Sequence, residues 1–292
     1  MGDARHARIA VEAESVEQLE HALAEAVDAG ALGSELIDAV PPRLVLYARI
    51  ADAARVREAL RPVEGLSVGA AEPLEERAWA ETWKDGLEAI VISPRLAVRP
   101  GFRALPSDFR GAQLVIEPGQ AFGTGGHAST RLALEGLEAL PRTLVAGSAV
   151  LDVGCGSGVL ALAALALGAE RAFGCDIDVL ATSAARRAAS ANGFAERLVL
   201  FTGSLDALAP RMEQAFALIL ANLLRSELEP LLPRIARLHR PGGRIVLSGL
   251  LAEEGPRLES RLAAEGLRVL GSRQTRDAAG DRWLGLVAGR TR

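Results

Sequence analysis

The stretch that decides the fold is residues 149–158, AVLDVGCGSG, in which an apolar run reaches an acid and three glycines follow at alternate positions. The apolar part predicts a buried strand, and the run after the loop predicts a helix over 158–168. Glycines between a strand and a helix permit a tight turn and let a ligand approach the backbone. The loop therefore indicates a nucleotide-like cofactor, but it is a weak signal alone because such turns are common.

The chain on both sides of this loop alternates between apolar strands and helices. This alternation predicts an α/β fold with a doubly wound, mostly parallel sheet, and two terminal strands bring the total in the sheet to seven. The strands are expected at 149–153, 171–176, 197–201, 215–220, 243–248, 267–273 and 282–288, and the main helices at 128–140, 158–168, 179–192, 226–239 and 255–265.

The strand after the loop ends at Asp176, 18 residues beyond Gly158. A carboxylate at that place can accept two hydrogen bonds from a ribose diol. NAD-dependent enzymes use the same acid, so Asp176 does not separate the two classes of cofactor. The spacing of the glycines disfavours an NAD enzyme, since dinucleotide enzymes use GxGxxG and this loop is GxGxG. Asp178 is expected to cap the following helix.

Two further segments narrow the choice. Residues 117–130, EPGQAFGTGGHAST, form a loop rich in glycine and polar groups just before a helix, and residues 221–224, ANLL, end the fourth strand. With the DxGxGxG loop, these segments resemble the ribosomal protein L11 methyltransferases (PrmA type), and residues 248–251, SGLL, match the same family. The resemblance implies a Rossmann-like seven-stranded methyltransferase domain that binds S-adenosylmethionine.

The resemblance also implies the site residues. The cofactor contacts fall on Thr130, Gly154, Gly156, Asp176 and Asn222. The segment 203–206 falls where residues usually flank the adenine ring in these enzymes. The alternative interpretation is a loop with no role in binding.

We expect Asn222 to be catalytic, through a side-chain oxygen that orients the amine of the substrate, because it stands where ligands bind at the end of a parallel strand. His127 is either a base or a residue that holds the loop, and Phe122 either packs on the cofactor or fills the core. The chain departs from the family pattern at Glu117, at Ser129 and at Arg225, the last of them near the expected substrate mouth.

The first part of the chain has a different pattern. Its elements follow the order βαββαβ, which is that of a ferredoxin-like α+β domain. The expected strands are 7–12, 35–40, 44–50 and 66–68, and the second helix is 53–60. We assign residues 1–71 to this domain, 72–92 to a linker helix that carries Trp79 and Trp83, and 93–292 to the methyltransferase domain. By resemblance, the first domain would recognise the ribosomal protein.

Composition limits the remaining possibilities. The formal net charge of −4 gives no general attraction to nucleic acid. Cys155 and Cys175 predict neither a disulfide framework nor a metal site, and His6, His21 and His239 are interpreted as surface residues. No apolar run reaches the ~20 residues of a membrane span, so we expect a cytoplasmic protein, and we expect a monomer.

These patterns together predict a protein N-methyltransferase. By resemblance, its substrates are the lysine side chains and N-terminal α-amine of ribosomal protein L11. The alternatives on the same scaffold are methylation of another protein lysine, as in the electron-transfer-flavoprotein lysine methyltransferases, and methylation of a small molecule. An NAD-dependent oxidoreductase and a non-catalytic cofactor-binding module are the readings from other classes.

Overall fold

The structure is a computed structural model, and its chain divides into two compact units, Met1–Leu87 and Glu88–Arg292. The residues that it describes are 6–14, 16–37, 41–74, 88–117, 126–277 and 280–290.

The first unit is a four-stranded antiparallel sheet with two helices. Its elements are β1 (His6–Glu12), α1 (Val16–Asp28), β2 (Ala31–Ile37), β3 (Arg43–Arg49), α2 (Ile50–Ala59) and β4 (Ser67–Leu74). The strand order is β2-β3-β1-β4, so the first strand lies between the third and the fourth, which confirms the ferredoxin-like arrangement. The alternating burial of β1 places Ile9 and Val11 in a core shared with Leu19 and Val56.

The second strand of this unit lies earlier than predicted. We expected residues 35–40, and the structure has Ala31–Ile37. Gly30 has φ of +100° immediately after α1, and the chain turns there directly into the strand. A left-handed residue reverses the chain within a single position, so β2 starts at the next residue, Ala31.

The second unit contains the seven-stranded sheet and a separate three-stranded sheet. Its strands are β5 (Ile90–Ser93), β6 (Leu96–Arg99), β7 (Ala112–Val115), β8 (Ala149–Val153), β9 (Arg171–Asp176), β10 (Leu198–Thr202), β11 (Phe216–Asn222), β12 (His239–Leu251), β13 (Leu267–Arg276) and β14 (Arg282–Arg290). Its helices are α3 (Ala128–Glu138), α4 (Arg142–Val145), α5 (Val159–Ala166), α6 (Val179–Ala191), α7 (Arg225–Leu238) and α8 (Gly255–Ala264), with 3₁₀ turns at Leu205–Ala207, Pro210–Met212 and Ala252–Glu254.

The strand order of the large sheet is β10-β9-β8-β11-β12-β14-β13. The pairs from β10 to β12 are parallel, and β14 is antiparallel to both of its neighbours. This arrangement confirms the predicted doubly wound sheet of seven strands. The order reverses between β8 and β11, so the carboxyl ends of these two strands lie side by side at the crevice where such folds bind ligands.

Both faces of the sheet are buried, as a parallel sheet requires. One apolar cluster includes Leu134, Leu162 and Leu218, and a second cluster includes Leu151 and Ile219. Leu218 and Ile219 are neighbours in β11, so they point to opposite faces of the sheet. Every residue from Val159 to Leu165 in α5 is buried. That explains why the sequence after the glycine loop is a continuous apolar run rather than an amphipathic pattern.

The ends of the predicted linker helix are strands instead. Residues 72–74 end β4 and residues 90–92 lie in β5, so the predicted domain boundary at residue 71 falls inside a strand. The middle of the predicted helix, with Trp79 and Trp83, lies outside the described residues. The strand β5 was not predicted, because its four residues are too short to show a period.

The interpretation of His239 as a surface residue was wrong. Its side chain is fully buried at the start of β12, which pairs with Phe216, and burial lowers the pKa of the imidazole. A single polar residue between a helix and a strand carries no periodic signal, so its burial depends on the packing of α7 and β12. Over the part of the chain that the structure describes, no helix has both the length and the hydropathy to cross a membrane.

Candidate active site

The glycine loop forms the floor of the site, between β8 and α5. Gly154, Gly156 and Gly158 have φ of +66°, +52° and +79°, a backbone region that L side chains rarely adopt. A Cβ atom on Gly154 would lie 2.4 Å from Cδ2 of Leu223, the residue after Asn222. The loop and the end of β11 are therefore in contact only because Gly154 has no side chain.

Asp176 is tied to the loop by its carboxylate. Oδ2 accepts a hydrogen bond from the Gly156 N–H at 2.9 Å, and Oδ1 accepts one from the Asp178 N–H at 3.0 Å. A carboxylate has about four acceptor positions, so this geometry leaves capacity for further donors such as a ribose diol. Asp178 caps α6, since its Oδ1 accepts from the Leu180 N–H at 2.8 Å, which confirms the predicted cap.

The segment 203–206 lies beside this acid. The Gly203 N–H donates to the Asp176 backbone oxygen at 2.8 Å, and Ser204 caps the short 3₁₀ turn that follows. The structure thus places the segment next to the carboxyl end of β9. Its assignment to adenine stays a prediction.

Asn222 ends β11 on the other side of the glycine loop. Its Nδ2 donates to Oγ1 of the buried Thr130 at 3.2 Å, which joins β11 to the first turn of α3. Its Oδ1 is buried and has no hydrogen-bond partner among the described residues. Buried acceptors in proteins nearly always have a hydrogen-bond partner, so this oxygen has the capacity to accept a further donor.

His127 occupies the N-cap of α3. Its Nδ1 accepts a hydrogen bond from the Ser129 N–H at 3.2 Å and lies 2.8 Å from the Ser129 hydroxyl. A nitrogen that accepts from a backbone N–H carries a lone pair, so the ring proton of the neutral form is on Nε2. This geometry favours the loop-holding interpretation of His127 over the base. The ring also meets Trp283 edge-to-face at a centroid distance of 4.7 Å.

Two tethers at the site were not predicted. The Ser248 hydroxyl donates to the Ser129 backbone oxygen at 2.8 Å and so connects the end of β12 to α3. The Trp283 indole donates to Asp277 at 2.6 Å, within the β13–β14 hairpin. The sequence analysis identified Ser248 only as part of the segment 248–251, and Trp283 is a single aromatic residue near the end of the sequence. No pattern in the sequence predicts the hydrogen-bond partner of either residue.

Asp152 lies beneath the loop, fully buried at the end of β8. Its Oδ2 accepts from the Ala161 N–H at 3.0 Å, and its Oδ1 has no partner in the described part of the chain. Burial raises the pKa of Asp152 to about 7, against the effect of the Ala161 N–H and with a smaller contribution from Asp176. Cys155 and Cys175 are free and buried, and burial raises the pKa of Cys175 to about 12.

The other predicted residues fall in different places. Arg225 begins α7 and is held by ion pairs to Glu254 and Glu229. Glu117 is exposed, and its carboxylate accepts from the Gly101 N–H at 3.1 Å. Phe122 lies outside the described residues.

These features fit S-adenosylmethionine. Three features surround the crevice at the carboxyl ends of β8, β9 and β11. They are a glycine loop in which Gly154 has no room for a Cβ, the carboxylate of Asp176 with acceptor capacity, and the buried Asn222 Oδ1, which has no partner in the described part of the chain. The loop and Asp176 would hold the nucleoside part of the cofactor. Asn222, bonded to Thr130, ends β11, which lies on the other side of β8 from the strand of Asp176.

Comparison with known proteins agrees with this geometry. The sequence profile of the family described as ribosomal protein L11 methyltransferase (PrmA) matches residues 46–287. Proteins named ribosomal protein L11 methyltransferase are similar in Syntrophotalea carbinolica, at 41% identity over 70% of this chain and 66% of that protein, and in Pseudomonas putida, at 41% identity over 76% and 74%. The chain thus spans about two thirds to three quarters of these relatives.

A solved structure extends the agreement to the fold. The ribosomal protein L11 methylase from Lactobacillus delbrueckii subsp. bulgaricus superimposes with a TM-score of 0.60 at 30% identity, over 70% of this chain and 98% of that one. The matched family profile covers most of the chain, including every described residue placed at the crevice. The chain therefore belongs to the ribosomal protein L11 methyltransferase (PrmA) family, a family of S-adenosylmethionine-dependent methyltransferases.

Proposed function

We propose that this protein transfers methyl groups from S-adenosylmethionine to amino groups of ribosomal protein L11, namely lysine side chains and the N-terminal α-amine. The substrate is supported by the names of relatives at 41% identity. The chemistry is supported by one observation above the others, the buried Asn222 Oδ1 that has no partner among the described residues.

Bound S-adenosylmethionine supplies a methyl group that its sulfonium already activates. The task of the protein is then to align a neutral amine and to exclude water. Neutralising a lysine of pKa ~10.4 at pH 7 costs about 4.6 kcal/mol, and neutralising an α-amine of pKa ~7.7–8.0 costs about 1 kcal/mol. Desolvation at the crevice lowers both costs because burial disfavours the charged ammonium.

Asn222 has the chemistry to orient that amine. Its Oδ1 can accept one amine N–H, which directs the nitrogen lone pair away from the amide and toward the cofactor side of the crevice. The bond from Nδ2 to Thr130 fixes the orientation of the amide. A dedicated strong base is unnecessary on this account, and His127 uses its Nδ1 lone pair to cap α3.

The first unit would recognise the protein substrate. A four-stranded sheet with helices has no chemistry of its own, so this role rests on the position of the unit before a catalytic fold. We keep the cytoplasmic location, the monomeric state and the absence of a nucleic-acid partner as predictions.

The test is a methylation assay with defined substrates. Purified L11 and a purified electron-transfer flavoprotein are each incubated with methyl-labelled S-adenosylmethionine, and the labelled sites are identified by mass spectrometry. We expect label on amino groups of L11 and none on the flavoprotein. Label on the flavoprotein alone would mean that the flavoprotein, and not L11, is the substrate. Label on neither protein would overturn the proposed function.

A further inference from the structure

Arg225 occupies an unfavourable position for its charge. It is the first residue of α7, a helix of 14 residues, and a cation at a helix N-terminus opposes the helix dipole. An anion would be favoured there by about 0.3–1 kcal/mol. A positive charge at this place, three residues beyond Asn222, therefore needs compensation from its surroundings.

The compensation comes from two glutamates. The Arg225 Nε donates to Glu254 Oε1 at 2.8 Å, and a terminal nitrogen donates to Glu229 Oε1 at 3.3 Å. The other carboxylate oxygen of Glu254 accepts from the Leu251 N–H at 2.9 Å. Glu254 therefore joins the guanidinium group at the start of α7 to the backbone at the end of β12.

A second ion pair joins α7 to α8. Arg257 donates to both oxygens of Glu229, at 2.8 and 3.0 Å. The Arg225 side chain is 28% exposed, whereas that of Arg257 is 65% exposed. The inner pair, Arg225 with Glu254, is thus better shielded from water and less screened than the outer one.

The two joined segments are in backbone contact next to Asn222. The Leu223 N–H donates to the Ser248 backbone oxygen at 3.1 Å. Gly249 has φ of +85°, and a Cβ on it would lie 2.4–2.8 Å from backbone atoms of Leu223. The segment 222–225 therefore packs directly against the segment 248–251. The Arg225–Glu254 pair adds a side-chain link between the same two parts of the chain.

We propose that Arg225 is a positioning residue for methyl transfer. Through Glu254 it holds the Asn222 segment, residues 222–225, against the end of β12, so that Oδ1 of Asn222 keeps its direction. This inference rests on the proposed function of Asn222 as the group that orients the amine. The side-chain anchor that the structure describes for the amide is one hydrogen bond of 3.2 Å to Thr130, and the ion pair restrains the backbone that carries it.

The proposal separates turnover from cofactor binding. Asp176 and Gly156 are joined to each other on the opposite side of the glycine loop and make no bond to the Arg225 pair. Loosening the Asn222 segment should therefore lower kcat by a larger factor than it raises KM for the cofactor. A misplacement of about 1 Å in a positioned group can cost up to 10²-fold in rate, so a partial loosening should cost about tenfold.

The experiment compares Arg225→Gln, Arg225→Lys and Arg257→Gln in the full chain with L11 as substrate. We expect Arg225→Gln to lower kcat about tenfold with KM for S-adenosylmethionine within twofold, and Arg225→Lys to recover most of the loss because a cation still reaches Glu254. Arg257→Gln, which removes only the outer pair, should keep kcat within twofold. An unchanged kcat in Arg225→Gln, or an equal loss in Arg257→Gln, would overturn the proposal.

A second measurement needs no protein substrate. Amide hydrogen exchange over residues 222–225 and 249–254 should be faster in Arg225→Gln and in Glu254→Gln, and no faster in the double variant than in either single one. If the wild-type protein methylates nothing, the proposed function fails while this measurement still tests the ion pair. Exchange that stays unchanged in these segments would overturn the positioning role by itself.

Discussion

At the scale of single residues, the site depends on two buried oxygens that have no partner in the described structure. Asn222 Oδ1 stands at the crevice, and Asp152 Oδ1 stands beneath the glycine loop. The first belongs to a neutral amide, which we propose orients the amine of the substrate. The second belongs to a carboxyl group whose ionisation is opposed by burial. We therefore expect Asn222 to affect turnover and Asp152 to affect stability.

For Asn222→Ala we expect methylation of L11 to slow by about 10²-fold, because the amine loses the acceptor that aligns it. Cofactor affinity should fall less, since the Asp176–Gly156 side is untouched. Steady-state kinetics with calorimetric titration of S-adenosylmethionine separates the two effects. Full turnover with full affinity in this variant would refute the role of Asn222.

For Asp152 we expect a pH-dependent contribution to stability. The pKa is raised from 3.8 to about 7 in the folded protein, so the folded state holds the proton more tightly than the unfolded state. The stabilisation is complete below pH 3.8 and is lost as the pH rises through about 7, with a total of up to about 4 kcal/mol.

Asp152→Asn keeps an oxygen for the Ala161 N–H and removes the titration. Urea unfolding of both proteins between pH 4 and 8 should show the wild type losing free energy of unfolding relative to the variant as the pH rises. Parallel curves for the two proteins would mean that Asp152 does not carry the proton.

At the scale of elements, the first turn of α3 connects the strand ends of the site. The Thr130 hydroxyl accepts a hydrogen bond from Asn222 at the end of β11, and the Ser129 backbone oxygen accepts one from Ser248 in β12. His127 caps the same turn. Three separate stretches of sequence thus meet on one helical turn. The cap matters because a helix start that loses its acceptor frays, and this start carries the anchor of Asn222.

Replacement of this cap tests the interpretation of His127. In His127→Gln we expect the free energy of unfolding to fall by about 1 kcal/mol and the pH–rate profile of methylation to keep its shape, because the ring acts as a cap rather than as a base. His21→Gln, on the exposed side of α1, serves as the control and should change neither quantity. Loss of one limb of the pH–rate profile would restore the base interpretation.

At the scale of the whole molecule, the chain carries two cores of different kinds. The first unit has its own apolar cluster on a four-stranded sheet, and the second has clusters on both faces of the seven-stranded sheet. The crevice residues described above all belong to the second unit. If the first unit recognises the substrate, as we propose, truncation should separate substrate recognition from cofactor binding.

Deletion of residues 1–87, the first compact unit, should abolish methylation of L11 and leave the affinity for S-adenosylmethionine within about threefold. Calorimetric titration of the truncated and full-length chains, with a methylation assay on L11, measures both quantities. Retained methylation of L11 by the truncated chain would show that the second unit recognises the protein by itself.

The sequence was sufficient for whatever depends on local periodicity. Apolar strands between helices predicted the doubly wound sheet. The strand ends at Asp176 and Asn222 predicted two side chains at the crevice, because the carboxyl ends of parallel strands share one edge. The burial of Asp152 beneath the glycine loop was not predicted. Element bounds were less accurate at β2 and at the ends of the predicted linker, where short strands show no period.

Contacts between distant segments needed the tertiary structure. The burial of His239, the cap made by His127, and the pairing of Arg225 with Glu254 depend on which elements pack together. By itself, the sequence determined the fold class and the set of residues at the strand ends, since both follow from repeats along the chain. Only the tertiary structure decided which of those side chains have hydrogen-bond partners among the described residues, because such partners come from segments that no sequence spacing relates.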